Sequence, residues 1–152
     1  MAVVVAGVTA AATVVIGAGA ASAATPQMLC VYQTDFCASV PGSPAIKMIV
    51  SESPFDWLYN GPDHGPGQIQ LSLPFDVCMQ LDHAAGNIVI GAKCNGASYQ
   101  SWQAIAIAGT FPESFEFQSQ WDKSQCLTYN QDKAWLDTVA CKAAWYQTFT
   151  SL

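Results

Sequence analysis

Arginine is absent from this chain, and charge of either sign is scarce: five lysines and 11 acidic residues among 152 positions. With no guanidinium group and a formal net charge of −6, the chain has no phosphate-binding footprint. That argues against nucleic acid and anionic membrane surfaces as partners. The short patterns of common catalytic chemistry are missing too: there is no HExxH, no GxSxG and no phosphate-cradling loop. The two histidines, His64 in PDHGPG and His83 in LDHAAG, each follow an aspartate in a turn-like stretch. Such a setting supplies a local hydrogen bond more often than a metal ligand or a base. No spacing singles out a pair of carboxylates of the kind that cleaves glycosides. The expectation is a protein without catalysis, cofactor or metal.

Charge is missing altogether from the opening stretch, MAVVVAGVTAAATVVIGAGAASAA, Met1 to Ala24. It closes on Ala21-Ser22-Ala23, a small-x-small cleavage pattern. This predicts a secretory signal over residues 1–23, an extracellular mature chain over 24–152, and no membrane association after cleavage; an uncleaved anchor is the alternative. The mature stretch suits one domain with a real core and is too short for two.

Cysteine, by contrast, is present in an even number: Cys30, Cys37, Cys78, Cys94, Cys126 and Cys141. Behind a secretory signal these read as disulfides, and six cysteines admit about fifteen pairings. A repeat narrows the choice. The step from Cys30 to Cys78 equals the step from Cys78 to Cys126, and Cys94 follows Cys78 at nearly the distance at which Cys141 follows Cys126. Cys78–Cys94 and Cys126–Cys141 are therefore equivalent pairs, which leaves Cys30–Cys37. Each longer ring contributes about 3 kcal/mol by loop-closure entropy. In the first unit, aligning Trp57 with Trp102 sets Ile49 where the second cysteine would stand.

Between cysteines the apolar period is two. GQIQLSL alternates Ile69, Leu71 and Leu73 with polar residues, and SFEFQ does so with Phe115 and Phe117. NIVIGA, WQAIAIAG and AWLDTVAC add short strands, while NGPDHGPG, HAAGN, NGAS and YNQDK mark turns. No stretch after the leader sustains a helical period. Three units of short strands point to a threefold β-barrel.

CMQLDHAAGNIVIGAKCNGASYQSW and CLTYNQDKAWLDTVACKAAWYQTF resemble the repeat of the ricin B-chain type (Gln-x-Trp) β-trefoil lectins. In that repeat Cys-Leu-Asp, a turn, an apolar strand and a second cysteine precede Gln-x-Trp. The likeness covers essentially all of 24–152, strongly in units two and three and weakly in unit one. It implies an all-β, disulfide-stapled β-trefoil: twelve strands in three repeats of about 48 residues, with a six-stranded barrel closed by three hairpins. It also implies that Trp57, Trp102 and Phe149 fill the core, while Gln100 and Gln147 pair with turn backbone. A strand ought to precede Cys30 as one precedes Cys78. Either ATPQML supplies a shortened strand or the barrel keeps an open edge.

The family's galactose site needs an Asp two residues after the first cysteine, a ring two before the second, and an Asn before the Gln. Those positions hold Gln80, Ala92 and Tyr99 in unit two, Thr128, Val139 and Tyr146 in unit three, and Tyr32, Lys47 and Pro54 in unit one. None keeps the family residue. Substitute sets are Asp82 with Tyr99 and Gln100, and Asp137 with Trp135, Tyr146 and Gln147, set against a purely structural role for each. The resemblance implies a lectin-like binding protein with a glycan or polysaccharide as partner. The alternative is a protein-binding trefoil, an inhibitor or surface module, using the loop from Tyr59 to Gly67.

Overall fold

A computed structural model describes residues 27–39, 46–50, 56–61, 65–71, 76–110 and 113–151. The expected signal over 1–23 lies outside these residues, as do Pro54, His64 and the middle of the loop 59–67. Of Lys47 and Ile49 only the backbone is described.

Twelve strands follow one another along the described chain: β1 Gln27–Val31, β2 Phe36–Ser39, β3 Lys47–Val50, β4 Asp56–Tyr59, β5 Ile69–Leu71, β6 Val77–Asp82, β7 Ile88–Lys93, β8 Trp102–Ala106, β9 Ser114–Ser119, β10 Gln125–Asn130, β11 Trp135–Ala140 and β12 Phe149–Ser151. They fall into three groups of four. In each group the middle two strands form an antiparallel hairpin: β2 with β3, β6 with β7, and β10 with β11. The outer strands close a six-membered ring: β1 pairs with β4, β4 with β5, β8 with β9, β9 with β12, and β12 with β1. The seam between β5 and β8 is made by Gly67 and Trp102, which exchange both backbone hydrogen bonds at 2.8 and 2.7 Å.

The core follows from alternation. Leu29, Ile69 and Phe117 occupy matching places on β1, β5 and β9, and all three are buried. Trp57, Trp102 and Phe149, at the starts of β4, β8 and β12, form a second tier, also buried. The hairpins cap this barrel and are stitched together by main-chain bonds at 2.9 Å, Ile46 N to Val89 O, Leu136 N to Ile46 O and Thr138 N to Asn87 O. Ile46, Val89 and Leu136 are wholly buried under the cap.

All three expected disulfides are formed, Cys30–Cys37, Cys78–Cys94 and Cys126–Cys141. The first does not stand where the equal spacing put it. Cys37, not Cys30, opens the first hairpin: Cys37 faces Ile49 as Cys78 faces Ala92 and Cys126 faces Val139. Cys30 lies one strand earlier, facing Cys37 across β1 and β2 as Gln70 faces Cys78 and Gln118 faces Cys126. Spacing from Cys30 matched by coincidence, because the first unit's hairpin strands and its β3–β4 connection are shorter than those of the second. The same shift answers the question of the missing strand. Cys30 is itself on that strand, which has neighbours on both sides, so the open-edge alternative is set aside.

Candidate functional site

The two Gln-x-ring motifs are built into the skeleton. Gln100 is fully buried; its amide nitrogen donates to Lys93 O at 2.8 Å and to Gln80 Oε1 at 3.0 Å, and its oxygen accepts from Asn95 N at 2.8 Å. Gln147 repeats this with Ala140 O, Thr128 Oγ1 and Lys142 N at 3.1, 3.0 and 2.8 Å. Each glutamine therefore closes the backbone around its hairpin disulfide and has no amide group left to offer a ligand.

These bonds also engage the residues at two of the positions that the ricin B type repeat uses for galactose. Gln80 and Thr128, standing where the family's Asp would, are engaged as partners of Gln100 and Gln147. In unit one the corrected register replaces Tyr32 by Ser39, which is buried, and replaces Lys47 by Ile49, which thus stands two residues before the place of the second cysteine and not at it. The ring position thus holds Ile49, Ala92 and Val139, none of which can stack as an aromatic does.

Of the substitute residues, Asp82 turns its carboxylate into its own hairpin turn, accepting from Ala84 N and Ala85 N at 3.0 and 3.2 Å. Tyr99 and His83, the residue after Asp82, instead meet on a side chain that sequence reasoning passed over. This is Trp121, in the β9–β10 connection and 55% exposed. The ring of Trp121 lies 6.3 Å from Tyr99, edge-on at 63°, and 6.1 Å from His83, tilted at 53°.

Trp121 is held on a rigid turn. Ser119 Oγ accepts from Trp121 N at 3.2 Å and from Asp122 N at 3.3 Å, Gln120 N donates to Ser101 O at 2.9 Å, and Gln118 Nε2 donates to Lys123 O at 2.8 Å. Asp122 Oδ1 accepts from Ser124 N and Oγ at 2.9 and 2.7 Å. Those Ser124 bonds, and next the neighbouring His83, hold the Asp122 carboxyl below its ordinary range. No sequence motif announces this arrangement, because Trp121 belongs to one unit and its two neighbours to another.

Polar groups surround the exposed indole. Tyr99 Oη accepts from Asn95 Nδ2 at 3.0 Å, which leaves its O–H to donate. His83 Nδ1 lies 2.6 Å from Asn87 Oδ1. With that oxygen accepting, a proton sits on Nδ1, and in the neutral imidazole Nε2 is an acceptor. An apolar ring face with a donor, an acceptor and a carboxylate beside it is the equipment for a hydroxyl-rich ring that has one face of C–H groups.

In unit three, Trp135 and Asp137 share a face of β11, and Lys133 Nζ lies 4.9 Å above the Trp135 ring. Asp137 Oδ2 accepts from Asn130 Nδ2 at 2.6 Å. Tyr146 lies edge-on to Trp145 at 5.7 Å and is packed on the core.

The described ends of the loop 59–67 are pinned to the barrel: the Tyr59 hydroxyl reaches Gly65 O and Trp102 O and accepts from Ala104 N. A Cβ on Gly61 would strike Gly65 O and that same hydroxyl, so glycine is required there by close approach. The one group of metal-type donors among the described residues, Glu116 with Cys126 and Cys141, has both sulfurs in a disulfide and so offers no thiolate.

No family model matches the chain, and no curated protein does. Solved structures do. The GlcNAcα1-4Gal-releasing endo-β-galactosidase from Clostridium perfringens aligns with TM-score 0.68 at 10% identity over 83% of this chain, which spans only 31% of that one. The designed three-fold symmetric protein ThreeFoil aligns at 0.67 with 11% identity, covering 83% of this chain and 96% of its own. The BEL β-trefoil aligns at 0.63 with 13% identity, covering 85% and 93%. Identities of 10 to 13% carry the fold alone, and together with the closed barrel and its three hairpins they make this chain a β-trefoil.

Proposed function

We propose that this chain is a secreted, non-catalytic, lectin-like protein of the ricin B type, and that it binds carbohydrate at the Trp121 platform rather than at the family's galactose positions. One observation carries the reading: an indole 55% exposed is held on a rigid turn between Tyr99 and His83. Leaving so large an apolar face in water gains nothing for folding, and a preorganised ring beside hydrogen-bonding groups suits a pyranose. The family assignment is supported by the paired roles of Gln100 and Gln147 and by the buried Trp57, Trp102 and Phe149. Secretion is supported by the leader-like first residues together with three disulfides. Asp82 and Asp122 beside the platform, and the absence of arginine, favour uncharged glycans over uronates.

Affinity electrophoresis through xylan, galactomannan, mixed-linkage β-glucan and glycol chitin tests this reading. The expected result is retardation by at least one of these polymers, weakened about tenfold or more in Trp121→Ala, with little or no retention on galactose or lactose resin. Retardation equal in Trp121→Ala and the parent would remove the platform from the account. Strong galactose retention abolished by free sugar would restore the family's own positions.

A further inference from the structure

We propose that the Trp145–Tyr146 pair of unit three is a second glycan platform and that the protein is therefore bivalent toward a single neutral polysaccharide. The inference rests on the reading of Trp121 just given and extends it to a different surface.

The pseudo-threefold skeleton supplies an internal control. Gln147 and Gln100 make matching bonds, so Tyr146 corresponds to Tyr99 and Trp145 to Ser98. The fold is satisfied by serine at this place, so nothing in the skeleton calls for tryptophan in unit three. Yet Trp145 is 47% exposed. Its backbone is locked by the short 3₁₀ turn Trp145–Gln147, through Gln147 N to Ala144 O at 2.8 Å and Thr148 N to Trp145 O at 3.2 Å.

The arrangement repeats that of unit two by a different route. Tyr99 has Trp121 edge-on at 6.3 Å and 63°, and Tyr146 has Trp145 edge-on at 5.7 Å and 78°. In unit two the tryptophan comes from the β9–β10 connection of the next unit; in unit three it comes from the turn that carries the tyrosine. Inheritance of one repeat cannot explain an exposed indole buttressed by equivalent tyrosines from two unrelated positions. A shared use for the pair explains it. Exposed Lys142 takes the place of Asn95, since each donates its backbone N–H to its unit's glutamine oxygen at 2.8 Å. At the equivalent place Asn95 bonds the Tyr99 hydroxyl, so this position suits the Lys142 ammonium for donating to a sugar hydroxyl.

Because equivalent tyrosines of different units are related by the barrel's threefold repeat, the two platforms belong to separate faces. One sugar unit does not span them, but two polymer chains do. Binding to a polysaccharide then gains avidity, and soluble polymer is cross-linked.

The test uses the full mature chain with whichever of the four polysaccharides retards it most. Mixing with that polymer should scatter light, and calorimetry with its oligosaccharide should count two sites. Trp145→Ser, a residue the skeleton already accepts at Ser98, should lower the count to one, abolish scattering and weaken retention about 10- to 100-fold. An unaltered count and unaltered scattering in Trp145→Ser would overturn the proposal, as would loss of all binding in Trp121→Ala alone. A second measurement needs no variant: saturating oligosaccharide should shield both Trp121 and Trp145 from N-bromosuccinimide, and unshielded Trp145 overturns the proposal. If the parent chain binds none of the four polymers, both this proposal and the carbohydrate reading fall. If Trp121 is shielded and Trp145 is not, only this one does.

Discussion

The indole N–H of Trp57 donates to the carbonyl of Ala38 at 3.1 Å, and that of Trp102 donates to Met79 at the same distance. Each acceptor follows the cysteine that opens a cap hairpin, so each tryptophan ties its barrel strand to the hairpin of its own unit. Trp57→Phe and Trp102→Phe keep most of the apolar volume but leave a buried carbonyl unpaired. Each is expected to lose about 1 to 3 kcal/mol in urea unfolding. Phe149 fills the third such place without an N–H, so the variants should still fold.

Gln100→Ala and Gln147→Ala should be costlier, because each truncation orphans a backbone carbonyl and a backbone N–H beside a disulfide. A loss of about 3 kcal/mol is expected for either, read as a fall in the urea midpoint with little change in slope. Similar losses at the two sites would reflect their equivalence. A negligible loss at either would mean that water replaces the amide.

Ala143 adopts φ 49°, in the left-handed region, where its counterpart Gly96 has φ 72°. That conformation costs an alanine about 1 to 2 kcal/mol, of which the added freedom of an unfolded glycine offsets part. Ala143→Gly is therefore expected to stabilise the chain by about 0.5 to 1 kcal/mol. Thermal unfolding at neutral pH checks this, since no charge is altered.

Burial raises the Asp137 carboxyl above its ordinary 3.8, while the Asn130 hydrogen bond and the Lys133 charge pull the other way. Its Oδ1 is buried with no hydrogen-bond partner among the described residues. The folded chain thus holds this proton more tightly than the unfolded chain does. Its contribution to stability is fully present below 3.8, is lost as pH rises from there through the folded value, and stays level above it. Asp137→Asn keeps an acceptor for Asn130 and does not titrate. Its stability relative to the parent should improve between about pH 3 and about pH 7, measured as the difference in urea midpoints. A difference independent of pH would show that Asp137 titrates alike in both states.

The fold was legible because its signals are local and recur. Alternation in Ile69–Leu71, the turn residues between strands, and cysteines at matching distances in units two and three each report on near neighbours in the chain. Unit one misled, since equal spacing from Cys30 counts positions along the chain whereas equivalence is set by which strand faces which. Only the pairing of Cys30 with Cys37 across β1 and β2 shows that Cys37 opens the hairpin.

The site divides in the same way. That Gln80 and Thr128 stand two residues after Cys78 and Cys126, where the ricin B type repeat has an aspartate, is evident from the sequence alone. That these two residues are tied to Gln100 and Gln147 is a matter of side-chain geometry. Trp121 is remote from both His83 and Tyr99 along the chain, so no periodicity or motif joins the three. The barrel pairs β8 of unit two with β9 of unit three, and it is this contact between units that sets the exposed indole between its two neighbours. Cysteine pairing and strand alternation, being local, were determined by the sequence itself; the platform, being shared between units, was decided only when the barrel closed.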